Sequence, residues 1–106
     1  MVKRGDIWLV TLDPTIGSEI KKSRPCVVVS PPEMHDYLRT AIVAPMTTNG
    51  RSAPFRVPLS HGGKKGLILL DQIRSVDKSR LAKKLGSVSG KTSGIILDTL
   101  QEVFAK

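Results

Sequence analysis

The chain has 106 residues, with seventeen Lys or Arg against nine Asp or Glu and a formal net charge of +8. That length holds one hydrophobic core and not two, so residues 1–106 read as a single domain, and the cationic surplus, spread along the whole sequence, points to a polyanionic partner: nucleic acid, an anionic membrane or an acidic protein segment. A single cysteine, Cys26, excludes an intrachain disulfide framework, the N-terminus lacks the apolar centre of a signal peptide, and no apolar run reaches the roughly 20 residues of a membrane helix; a cytoplasmic protein without a membrane span is expected.

In chain order, residues 6–12 alternate Ile7, Leu9 and Thr11 with Trp8, Val10 and Leu12, a strand pattern that places Trp8 in the core. Asp13-Pro14 ends it, and residues 13–24 form a loop hinged at Gly17, of about 12 positions, a length that in compact domains marks function or disorder. Residues 25–30 are a continuous apolar strand stopped by Pro31-Pro32. Proline disfavours helical backbone in the residue before it, so Arg24 is expected in strand geometry, delivered to the mouth of a buried strand. Residues 33–39 show no clear period. Residues 40–47 form a third strand, in which Pro45 implies an edge or a bulge because it donates no ladder hydrogen bond, and Thr47-Thr48-Asn49-Gly50 is a turn.

Residues 55–59 read as a short strand leading to a glycine turn at Ser60-His61-Gly62-Gly63. Residues 66–71 are the most apolar run and are predicted as a central strand, extended by residues 72–76. Asp77 caps one helical turn through Ala82, and residues 85–88 form a last short strand. The C-terminal helix is the clearest element: Ser89, Thr92 or Ser93 can cap it, and Ile96, Leu97, Leu100, Val103 and Phe104 recur at helical spacing opposite Asp98, Gln101 and Glu102. The fold class is therefore mostly β, a small antiparallel barrel or half-barrel closed by a C-terminal α-helix, with one short internal helix.

The chemistry-bearing residues are few. One cysteine and two distant histidines cannot close a tetrahedral zinc site, and neither a P-loop nor a dinucleotide fingerprint is present, so no metal and no cofactor is expected. Cys26 reads as an inert core thiol, and His35 and His61 as exposed loop residues. Lys64-Lys65 and Lys83-Lys84 read as solvated charge able to attract phosphates without reading bases. Arg24 has two readings: a salt bridge to Glu19 or Asp71, or a guanidinium fork for a phosphate.

The phrase GDIWLVTLDPTIGSEIKKSRPCVVVSP, followed by IVAPMTT and LILLDQIRSVDKSRL, resembles the MazF/PemK (Kid) toxins of bacterial toxin-antitoxin modules, in order and over essentially the whole chain. The resemblance implies an SH3-like barrel of the MazF/Kid/CcdB type that dimerises and cleaves single-stranded RNA, with mRNA as the target, at a short sequence and without metal. The arginine of the RP step and the threonine closing the third strand carry catalysis in the better-known members, which corresponds here to Arg24 and Thr47; the glutamate of the GSE loop corresponds to Glu19. Ser18, Lys21, Lys22, Thr48, Arg51 and Gln72 are the expected RNA-binding residues, Gln72 either on a base edge or satisfying backbone. A second apparatus in one branch of the family, a first-loop histidine with an arginine before the DQ pair, is replaced here by Ser18 and Leu69.

Metal-free RNA cleavage uses the substrate's own 2′-hydroxyl and needs a proton acceptor, positive charge on the phosphorane oxygens and a donor for the departing 5′-oxygen. Arg24 and Thr47 suit the second requirement; Glu19 or a loop water is the base. Two other functions are weighed: a gyrase-poison type of protein-binding toxin on the same fold, for which the ending Val103-Phe104-Ala105-Lys106 lacks the expected aromatic-glycine close, and a noncatalytic RNA-binding barrel, which one Trp, one Tyr and two Phe scarcely equip with stacking platforms. The resemblance further implies a homodimer, a cognate acidic antitoxin lying across the RNA groove, and contact with operator DNA only through the antitoxin complex.

Overall fold

The computed structural model describes residues 1–12 and 23–106. Among them, seven strands form one curled antiparallel sheet: β1 (Asp6–Thr11), β2 (Ser23–Val28), β3 (Thr40–Thr47), β4 (Arg56–His61), β5 (Lys64–Leu69), β6 (Arg74–Asp77) and β7 (Leu81–Ser87). Two helices complete it, α1 (Pro32–Tyr37) and α2 (Gly90–Val103). The strand order is β4-β5-β3-β2-β1-β7, with β6 also paired to β3. The mostly β half-barrel with a terminal helix is as expected, and no described helix is long and apolar enough to cross a membrane.

β2 explains why its sequence is apolar without alternation. Val27 and Val29 enter the core beneath α2 with Ile7, Ala44, Ile68 and Ile96. Cys26 and Val28 enter a second cluster on the opposite face with Val10, Val43 and Val76. A strand buried on both faces reads as a continuous hydrophobic run, because successive side chains point to opposite sides. Trp8 packs only partly buried against the second cluster. Its indole N–H donates to Asp6 Oδ2 at 3.3 Å, the Lys3 N–H donates to the same oxygen at 2.8 Å, and Lys84 Nζ lies 3.4 Å from Asp6 Oδ1. The GDIW opening is thus a structural device that satisfies a carboxylate only 3% exposed.

Several expectations are corrected. Residues 23 and 24 belong to β2 and not to a loop, and β2 ends at Val28. Pro45 is buried inside the sheet and at no edge: it stands where β3 exchanges one partner for another, Thr40 to Val43 pairing with β6, and Met46 and Thr47 with β5. Residues 72–76 do not extend β5. The chain turns through a 3-10 segment at Leu70–Gln72, held where the Leu70 N–H donates to the Phe55 carbonyl at 3.2 Å, and then crosses to β3 as β6.

The stretch 33–39 holds α1, begun by Pro32 at a position where the missing N–H costs no helical bond. His35 lies on it and is 5% exposed, not a surface residue. Its Nδ1 donates to the Val2 carbonyl at 3.2 Å, and its Nε2 is hydrogen-bonded at 2.6 Å to Ser30 Oγ, which also accepts the Ile42 N–H at 2.9 Å. The expected helical turn after Asp77 is a 3-10 turn, Lys78–Arg80, with the Asp77 carboxylate accepting the Ser79 N–H at 2.9 Å. β7 starts earlier than expected, at Leu81. Ser89 is the cap of α2, Ile96 is its buried residue, and Phe104, expected on the apolar face, is 72% exposed just beyond the helix.

Candidate active site at the open end of the sheet

The start of β2 and the end of β3 meet at one end of the sheet, and there a cleft of ≈ 490 Å³ opens, lined among others by Arg24, Thr47, Thr48, His61 and Lys64. The register explains the meeting. β2 pairs with β3 through Cys26 opposite Pro45, so continuing the antiparallel count brings Arg24 level with Thr47. Arg24 itself is fixed in strand geometry opposite Val10 on β1, as the following proline requires.

Thr47 is held by the turn that follows it and by β5. Its Oγ1 accepts the Asn49 N–H at 3.2 Å, which closes the turn after β3 and leaves the hydroxyl hydrogen for an acceptor in the cleft. A Cβ at Gly66 would stand 2.7 Å from the Thr47 carbonyl oxygen, and one at Gly50 would stand 2.8 Å from Thr47 Cγ2. Two glycines therefore allow β5 and the turn to close around this threonine.

The electrostatics of the cleft favour an anion. Among its described lining residues, Arg24 and Lys64 are cations and there is no carboxylate. Asp71, one alternative partner of Arg24, is engaged elsewhere: Arg56 donates to it through Nε and Nη2, each at 3.2 Å, and those hydrogen bonds hold the Asp71 carboxyl below the usual carboxylate range. Cys26 is fully buried behind Arg24, as expected of a core thiol; burial pushes its pKa up to about 12, against the pull of the Arg24 and Arg74 charges.

The expected site residues thus divide. Arg24, Thr47 and Thr48 come together in the cleft. Arg51 offers its backbone carbonyl to Arg56 Nη1 at 3.2 Å, and Gln72 is exposed on the 3-10 turn; neither lines the cleft. Glu19, Ser18, Lys21 and Lys22 lie outside the described residues, as do the Asp13-Pro14 stop and the Gly17 hinge. Lys64 is exposed, as expected of solvated charge, and His61, expected as an exposed loop residue, is partly buried at the end of β4; both line the cleft. The signal for them was the turn itself: Gly62 and Gly63 have φ of 60° and 78°, the two-residue hairpin geometry that sets His61 opposite Lys64.

Residues 3–104 match the model of the family described as PemK-like, MazF-like toxin of type II toxin-antitoxin system. The chain is 36% identical to Endoribonuclease PemK of Escherichia coli, over 96% of this chain and 81% of that protein. It is 38% identical to Endoribonuclease MazF of Staphylococcus saprophyticus, over 86% of this chain and 81% of that protein. Among solved structures, MazE-MazF from Deinococcus radiodurans superposes with a TM-score of 0.83 at 27% identity, covering 96% of this chain and 94% of that one. The chain belongs to the PemK-like, MazF-like toxins of type II toxin-antitoxin systems.

Proposed function

We propose that this chain is the toxin of a toxin-antitoxin pair and acts as a metal-independent, sequence-specific endoribonuclease on single-stranded RNA, mRNA foremost. The observation that carries the reading is the convergence of Arg24 and Thr47 on one cationic cleft. The naming of two relatives as endoribonucleases supports it. The family match over residues 3–104 supports reading residues 1–106 as one toxin domain.

The reaction follows from the groups. The substrate's 2′-oxygen attacks the adjacent phosphorus, and its proton passes to a base, for which Glu19 or a water in the cleft serves. The P–O5′ bond breaks and the departing 5′-oxygen takes a proton from a water in the cleft, leaving a 2′,3′-cyclic phosphate and a 5′-hydroxyl end. Arg24 presents two parallel donors to the phosphorane oxygens, whose charge grows toward the transition state, and the Thr47 hydroxyl donates a third hydrogen bond. Arginine stays protonated, so its part is electrostatic and not that of a base. The complex of MazE with MazF from D. radiodurans supports a cognate antitoxin as partner, here one with an acidic segment suited to the +8 charge. A homodimer acting in the cytoplasm completes the reading.

Arg24→Ala and Thr47→Ala test it. Each should lower cleavage by about 10²-fold or more, the scale set by removing one transition-state donor, with circular dichroism unchanged. Wild-type rates in both variants would remove the pair from the reacting centre.

A further inference from the structure

The hairpin tip between β4 and β5 brings to the cleft a kind of group that its other described lining residues do not supply. On β4, Val57, Leu59 and His61 alternate onto one face: Val57 is 4% exposed, Leu59 packs against the core, and His61 follows at the rim, partly exposed. Opposite them on β5 stand Ile68, Gly66 and Lys64. Gly66 carries no side chain, and a Cβ there would stand 2.7 Å from the Thr47 carbonyl oxygen, so β5 lies close against the end of β3 beside the cleft. The His61 ring rests beside β7, its Cε1 3.3 Å from where a Cβ at Gly86 would be. Among the described residues, none lies within 4 Å of the Cβ positions of the turn glycines Gly62 and Gly63.

Among the described residues lining the cleft, His61 is the only one with an aromatic ring. Trp8 is packed against the second cluster, and Tyr37 and Phe104, though 86% and 72% exposed, do not line the cleft. Unpaired RNA bases are held by stacking on flat side chains, histidine included, with hydrogen bonds to their edges. A lysine directly across the strand pair supplies charge for the phosphate that joins one nucleotide to the next.

We infer that His61 and Lys64 form a nucleotide subsite next to the Arg24–Thr47 centre, in which the imidazole stacks on an unpaired base and reads its edge while Lys64 engages the adjoining phosphate. His61 is then a specificity-determining residue, setting the base preferred at one position flanking the cut. This rests on the ribonuclease reading of the same cleft.

Two measurements on the full chain test it: cut-site maps on a long mixed-sequence RNA, and binding of a fluorescent pool of random-sequence 2′-fluoro RNA, which lacks the nucleophile. His61→Ala should weaken binding of the pool about tenfold, the scale of one lost stacking contact. His61→Phe, which keeps a flat face, should bind within about twofold of wild type yet show a broadened base preference at one flanking position. Lys64→Ala should lower the slope of log affinity against log salt by about 0.7. Wild-type affinity together with an unchanged cut motif in His61→Ala would overturn the subsite and leave the ribonuclease reading standing. Lost cleavage in His61→Ala with unchanged affinity would also overturn it, in favour of a proton-transfer role. A wild type that binds but does not cut contradicts the ribonuclease reading, while the same comparison of His61→Ala with wild type still decides the subsite. A folded wild type that neither binds nor cuts overturns both.

Discussion

Arg24 and Cys26 lie two residues apart on β2 and meet opposite environments. The arginine stands at the strand's mouth, while the thiol is fully buried and donates a weak hydrogen bond to the Arg24 carbonyl at 3.6 Å. Because burial raises the folded-state pKa of Cys26 from 9.0 to about 12, the unfolded chain loses this proton first as pH rises. The sign follows: above about pH 9 the native state binds more protons at this site than the unfolded state, so stability falls as pH rises toward 12. Equilibrium unfolding from pH 8 to 11 should show a decline that is shallower in Cys26→Ala; parallel profiles would contradict the buried thiol. Both the inert cysteine and the strand placement of Arg24 were legible, one from an apolar run and one from the following proline. His35 was not. Its burial depends on the backbone at Val2 and on Lys78, whose ammonium donates to the His35 carbonyl at 2.7 Å, and no local pattern announces partners 33 and 43 positions away.

At the scale of elements, strands with a local pattern were readable and changes of partner were not. β3 was read over its full length, Thr40–Thr47, because its apolar, β-branched run ends directly at the Thr48-Asn49-Gly50 turn. The break between β5 and β6 was hidden inside GLILLDQIRSV, where Leu70 is as apolar as a strand residue but caps the core from a 3-10 turn. Gly66 is the element-level key to the site, since the approach of β5 to the end of β3 leaves no room for a side chain. Gly66→Ala must push the Thr47 carbonyl away, and a displacement of about 1 Å at a reacting centre can cost about 10²-fold in rate. Cleavage should therefore fall about that far, with a melting temperature lowered by the strain of overpacking. Full activity with unchanged melting would show that Thr47 is not held by this contact.

For the whole molecule, the curled sheet brings the mouth of β2, the end of β3 and the tip of the β4–β5 hairpin around one cationic cleft. The motifs of the sequence divide accordingly. GDIW satisfies a buried carboxylate and SVDK caps a turn, so they build the fold; the RP step and PMTT deliver Arg24 and Thr47 to the cleft. The Arg24–Thr47 half of the candidate site was legible because it sits in contiguous phrases. The His61–Lys64 half was not, because it depends on a hairpin register and on sheet curvature that bring it opposite residues more than a dozen positions away.

The most direct measurement is incubation of the purified protein, free of antitoxin, with a long mixed-sequence RNA in EDTA, mapping each new 5′ end and testing whether it bears a hydroxyl. The account predicts cuts at a defined short sequence, all with 5′-hydroxyl ends, that are lost in Arg24→Ala. No cleavage by the folded wild type, cleavage that requires a divalent cation, or the same cuts in Arg24→Ala would contradict it.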